Sequence, residues 1–177
     1  LMMANAYATI ASGGWRNKVT AVRRVCFPKG ANSYRCEAVK ARRRKAFSDG
    51  VTSEVTKILA QNMTGGTGTR AQIGCPAAGK TGTVDDFTDA WFVGYTPRLA
   101  TSVWVGHALD RRTLGGGSAG GTTAAPIWGE YMKTAKGSYC GTSPRTARAS
   151  KRACTSGTTP SGMLSASSGW VSTSCLR

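Results

Sequence analysis

Lys80-Thr81-Gly82-Thr83 is the stretch whose residue types could act together on a ligand. In an extended strand, period-two alternation sets the hydroxyls of Thr81 and Thr83 on one face. Gly82 between them leaves the backbone bare, and Lys80 adds one strong positive charge. Two hydroxyls, unobstructed N–H groups and an ammonium suit a ligand carboxylate and a developing oxyanion. An isolated Lys-Thr-Gly is also what an ordinary glycine-rich strand end looks like, so its surroundings decide between the two.

Those surroundings read as three consecutive strands between Cys75 and His107. Ala90-Trp91-Phe92-Val93-Gly94-Tyr95 and Ser102-Val103-Trp104-Val105-Gly106-His107 are rich in β-branched and aromatic residues and meet at a hairpin turn, Thr96-Pro97-Arg98. The first strand has small residues that pack poorly but admit a close approach to its backbone. Two amphipathic helices are predicted to cover the sheet. One runs over residues 48–63, capped by Ser48 or Asp49, with Val51, Val55, Ile58 and Leu59 as its buried stripe. The other follows Thr122 or Thr123, has Pro126 in its first turn, and carries Ile127, Trp128, Tyr131, Met132 and Ala135 as its apolar face. Between the first helix and the strand, Gly65-Gly66-Thr67-Gly68 lacks the Lys-Ser/Thr ending of a phosphate loop and follows a helix, where a phosphate loop would open one. Residues 110–121 read as a flexible glycine-rich loop. Residues 1–12 read as a further helix, with Met3, Tyr7, Ile10 and Ala11 on one core-packing face and Gly13-Gly14 as its stop.

Composition narrows the classes. The 177 residues carry a formal charge of +16, which makes nucleic acid the first partner to weigh. The charge is uneven, however: it gathers between Arg16 and Lys45, where Glu37 is the sole acid, and again after Gly141. Taken alone, Arg42-Arg43-Arg44-Lys45 looks like a nucleic-acid patch, but it abuts a predicted helix start and reads better as the surface of a small irregular hairpin. No specific nucleic-acid partner is expected; anionic wall polymers or lipid headgroups are alternatives. Six cysteines and a single histidine, His107, match no zinc spacing, so neither metal nor cofactor is expected. Cys26 and Cys36 bracket a loop containing Pro28, Gly30 and Asn32, and two outcomes stay open there: an extracytoplasmic disulfide or two free thiols. Residues 142–177 are dominated by Ser, Thr, Ala and Arg, without acid or period, and a disordered tail is expected.

From Lys80-Thr81-Gly82-Thr83 through Asp85 and Asp86 into Asp89-Ala90-Trp91-Phe92-Val93-Gly94-Tyr95-Thr96-Pro97, the chain resembles the third active-site motif and following strands of penicillin-binding protein transpeptidase domains. The resemblance covers residues 1–141 and is greatest for the bifunctional, glycosyltransferase-linked class. It implies an α/β, β-lactamase-like fold with a central antiparallel sheet packed by helices. It implies peptidoglycan stem peptides and β-lactams as partners, and the extracytoplasmic face of the bacterial membrane as location, with any anchor outside this chain. By the match at the motif, Lys80 and Thr83 would be catalytic, Lys80 through the hydroxyl network of the second motif and Thr83 through an oxyanion N–H. Thr81, Gly82 and Thr83 would bind substrate.

The family's nucleophile belongs to Ser-x-x-Lys, and every serine here fails that pattern, including the nearest candidates Ser53, Ser143 and Ser150; Ser-x-Asn is absent too. The expectation is therefore the C-terminal part of a transpeptidase domain, one wall of a cleft that needs the missing N-terminal part of the same domain and is inactive alone. The rival class, resting on charge alone, is a small basic protein that binds nucleic acid or anionic wall polymer.

Overall fold

A computed structural model describes residues 1–141; the tail from residue 142, expected to be disordered, lies outside the described residues. Three helices and seven strands follow in the order α1 (Met2–Ala11), β1 (Trp15–Asn17), β2 (Arg24–Pro28), β3 (Tyr34–Ala38), β4 (Arg43–Lys45), α2 (Asp49–Gly65), β5 (Ala78–Thr83), β6 (Asp89–Tyr95), β7 (Ala100–Gly106) and α3 (Ala125–Ala135). The predicted strands form one antiparallel sheet in the order β5-β6-β7. Lys80 pairs with Val93 and Phe92 with Val103. The β6–β7 turn closes through Thr96 N–H to Leu99 O at 2.9 Å, as the Thr-Pro-Arg signal predicts.

The core lies between this sheet and α3. Phe92, Trp128 and Met132 are fully buried, with the Phe92 and Trp128 rings 5.2 Å apart. Trp128 Nε1 donates to Thr101 O at 3.1 Å, which removes the one polar cost of burying an indole. Only part of the predicted stripe faces inward. Ala125, Trp128, Gly129 and Met132 are buried, whereas Ile127 and Tyr131 are exposed. The contact line runs through the buried Gly129, which faces Arg70 and Ala71.

α2 departs further from expectation. Ser48 caps it, accepting from Val51 N–H at 3.3 Å. Its buried residues are Thr52, Ser53, Thr56 and Met63, while Ile58 is 66% exposed and Val51 52% exposed. Threonine can take the inner face because its hydroxyl finds partners there. Thr56 Oγ lies 2.8 Å from the Tyr95 hydroxyl, and Thr52 Oγ donates to Asp49 O at 3.1 Å. Burial also pushes the Tyr95 phenol up. α1 likewise buries Thr9 rather than the Met3 side of its predicted stripe; Tyr7 meets the Tyr95 ring edge-on at 6.3 Å.

Residues 15–45 form a nested hairpin, β2 on β3 inside β1 on β4, and every one of them is exposed. Cys26 and Cys36 sit directly opposite each other and are joined as a disulfide. A second disulfide, Cys75–Cys140, was not anticipated; it ties the approach to β5 to the segment beyond α3. At the far end of the sheet, Trp104 Nε1 and Thr88 Oγ donate to the Asp89 carboxylate at 2.7 and 2.9 Å and hold its pKa below the usual range. That contribution is present above the ordinary carboxylate pKa and fades as pH falls through the lowered one.

Candidate active site

β5 is an edge strand. β6 pairs with one side of it, and among the described residues no strand lies on the other. On that open side, Asn62 Nδ2 from α2 donates to Gly79 O at 2.9 Å. Since neighbouring residues of a strand direct their backbone groups to opposite sides, Thr81 and Thr83 share the open edge with Gly79. Lys80, exposed, curls its ammonium back to Thr81 O at 3.1 Å. Among the described residues no carboxylate pairs with it.

Two segments wall this edge. The turn after α2 brings Thr67 Oγ to 2.6 Å from Thr81 Oγ. A wide π-type turn, Gly120–Ala124, brings Gly120 N–H to Thr83 Oγ at 3.0 Å. Gly120 rests on the ladder itself: a Cβ there would fall 2.6 Å from Gly82 O, and one on Gly121 would fall 2.6 Å from Thr67 O. The end of the predicted flexible loop is thus packed against the site, and glycine is required for that approach. Thr83 Oγ accepts from Gly120 and keeps its hydrogen for another acceptor. Thr81 is more fully engaged: Thr67 spends its hydrogen on Asn62 Oδ1, so Thr81 donates its own to Thr67 Oγ and accepts from Lys80 Nζ at 3.4 Å.

All four predicted residues, Lys80, Thr81, Gly82 and Thr83, therefore fall on one strand, with the lysine and both threonines at an open edge. Ser53, the nearest serine candidate among the described residues, is buried in α2 away from this role, and Ser143 and Ser150 lie outside the described residues. Among the described residues no cluster of three metal-ligating side chains occurs. Sequence reasoning missed Asn62. Its Oδ1 accepts from Thr67 N–H at 3.0 Å and Thr67 Oγ at 3.2 Å while its Nδ2 holds Gly79, so one side chain sets the spacing between turn and strand. The signal was an amide three residues before a Gly-Gly-Thr-Gly run, where a helix end leaves backbone groups to be satisfied.

The profile of the penicillin binding protein transpeptidase domain matches residues 1–133. The chain belongs to this family. A penicillin-binding protein 1A of Neisseria lactamica is 32% identical over 139 residues, which cover 76% of this chain and 17% of that protein. A penicillin-binding protein 1A of Aquifex aeolicus (strain VF5) is 52% identical over 62 residues, 35% of this chain and 8% of the relative. The chain thus spans less than a fifth of either relative. Among solved structures, penicillin-binding protein 1A from Haemophilus influenzae shares the fold with a TM-score of 0.66 at 22% identity, covering 77% of this chain and 26% of that one. The imipenem acyl-enzyme complex of penicillin-binding protein A from M. tuberculosis matches with a TM-score of 0.51 at 28% identity, over 70% of this chain and 28% of that one.

Proposed function

We propose that residues 1–141 are the C-terminal part of a D,D-transpeptidase of the bifunctional class, which cross-links peptidoglycan stem peptides by serine acyl transfer and is acylated by β-lactams. The observation that carries this reading is the open edge of β5. There an exposed ammonium, with no carboxylate partner among the described residues, stands beside two threonine hydroxyls on a strand whose outer edge no other described strand pairs. In this role a serine of the missing N-terminal part attacks the carbonyl of a D-Ala-D-Ala amide, and the D-Ala amine departs with a proton. A neighbouring stem-peptide amine then attacks the acyl-enzyme and frees the serine.

The chain's own residues act around that exchange. Lys80 attracts the terminal carboxylate and orders the hydroxyls of the second motif. Thr83 offers its spare hydroxyl hydrogen to the same carboxylate, and Thr81 joins it by turning its hydrogen from Thr67 to the ligand. The Thr83 N–H, on the open edge, stabilises the oxyanion, and Gly82 lets the peptide lie along the strand. Asn62 and Gly120 hold these groups in place without touching substrate. The location that follows is the extracytoplasmic face of the bacterial membrane, with the anchor outside this chain. The disulfides agree with an oxidising compartment.

A charge-assisted hydrogen bond from Lys80 is worth about 1.5–3 kcal/mol. Lys80→Ala in the parent protein is therefore expected to slow acylation by labelled penicillin at least about tenfold. Acylation at the parent rate would remove Lys80 from the site. This chain by itself is expected to form no covalent adduct, because the motif supplying hydroxyl and base is absent from it. A stoichiometric, hydrolysable serine adduct in its mass spectrum would place the nucleophile within these 177 residues and overturn the division of labour.

A further inference from the structure

We propose that the cystine-closed ribbon of residues 15–45 is a docking arm for an anionic phospholipid surface. The proposal is independent of the transpeptidase reading. Its first ground is where the charge sits. The ribbon holds 11 Lys and Arg against the single acid Glu37, whereas the rest of residues 1–141 holds 8 basic and 7 acidic residues and is nearly neutral. Two of the ribbon's cations are paired, Arg35 with Glu37 and Lys45 with Asp49; among the described residues the other nine have no carboxylate partner. All stand exposed, on short strands or on the segments that connect them. A solvated surface needs no such segregation, and a field of this density on one arm attracts an extended anion.

The second ground is the tip. Lys29 N–H bonds Ser33 O at 2.8 Å, closing the end of the hairpin, and around that closure Phe27 is 53% and Tyr34 70% exposed. Phe27 lies opposite Arg35, and Pro28 opposite Tyr34, so rings and cations alternate along the last turn. A duplex or a wall polyanion gives an exposed phenyl ring little, since neither presents a free base face to stack on it. A bilayer interface does reward it, because aromatic rings settle at headgroup depth while Lys and Arg reach the phosphates. The Cys26–Cys36 bond holds the tip in one shape before contact, so little ordering is lost on docking. Both disulfides also point to an oxidising compartment, where cytoplasmic nucleic acid is not the surrounding polyanion.

The test is cosedimentation of the whole chain with vesicles of phosphatidylcholine containing about one-quarter phosphatidylglycerol, where each cation near the surface is worth roughly fivefold in partitioning. Binding is expected to these vesicles, to be lost on vesicles of phosphatidylcholine alone, and to weaken as salt rises. Replacing Arg23, Arg24 and Lys29 by Gln is expected to lower partitioning by about 100-fold. Phe27→Ser with Tyr34→Ser is expected to lower it by about tenfold while leaving attraction to a double-stranded oligonucleotide unchanged. Mass spectrometry confirming the intact Cys26–Cys36 bond separates these effects from a misfolded ribbon. Parent-like partitioning of the Gln variant would move the binding to cations elsewhere in the chain and overturn the proposal. Equal binding to uncharged vesicles would overturn it as well. So would tighter binding to the oligonucleotide than to the vesicles with the aromatic variant unaffected, which would make the arm a nucleic-acid surface.

Discussion

The sheet body and the ribbon are built from the same chain by different means. In the body, Phe92, Tyr95, Trp128 and Met132 are fully buried, and strands and helix hold one another through packing. The ribbon buries nothing and is held by its ladders, by the Cys26–Cys36 bond and by contacts such as the Arg43 guanidinium 4.8 Å over the Trp15 ring. The difference teaches which parts can carry geometry. A site that must hold hydroxyls and an ammonium within tenths of an ångström sits on the packed part, while a surface needing only charge and reach can ride on the unpacked one.

The largest test of this contrast is Trp128→Ala. The substitution empties the middle of the core and abandons the bond to Thr101 O. Large-to-small changes of this kind cost about 3–5 kcal/mol. Denaturant unfolding of the parent protein should register a loss of that size, and a loss below about 1 kcal/mol would mean the core is not where the body's stability resides.

Asn62→Ala should come next. It leaves the Gly79 carbonyl and the Thr67 N–H without their partner, which costs about 1–3 kcal/mol where the groups are shielded from water. Because Thr67 in turn meets Thr81, acylation by penicillin should slow along with the loss of stability. Asn62→Asp keeps the acceptor for Thr67 but sets a carboxylate oxygen against the Gly79 carbonyl, so it should be destabilised at least as much as the Ala variant. A destabilised Ala variant that is acylated at the parent rate would separate Asn62 from the site.

What could be read from the sequence follows the range of the interaction. The strands from Ala78 to Gly106 and their proline turn were legible because alternation and turn chemistry are local signals. The Lys80–Thr83 motif was legible as a unit for the same reason. The buried face of α2 was not. Apolar periodicity chose Val51 and Ile58, but the sheet presents the Tyr95 hydroxyl to that helix, and a threonine answers it better than a valine. Cys75–Cys140 joins residues 65 positions apart, a pairing no spacing rule predicts, whereas the separation of 10 between Cys26 and Cys36 brought that pair into view while leaving free thiols open. Asn62 and Gly120 escaped for a related reason. Each acts by meeting a strand that lies far along the chain, and neither residue type announces its partner.

The smallest expected effect sharpens the contrast most. By chain-entropy reasoning, removing a crosslink that closes a loop of about ten residues from a segment that unfolds with its domain should cost roughly 3 kcal/mol. The ribbon has no buried side chain to couple it to the sheet, so without the bond it can open locally while the body stays folded. The entropy gained by the unfolded chain is then matched by the entropy gained in the native one. Cys26→Ser with Cys36→Ser should therefore move the body's unfolding midpoint by less than about 0.5 kcal/mol, while amide exchange across residues 24–38 speeds up markedly. A shift near the full 3 kcal/mol would show that ribbon and body melt as one unit, and the distinction between a packed part and a merely clamped one would fail at the point where it was drawn.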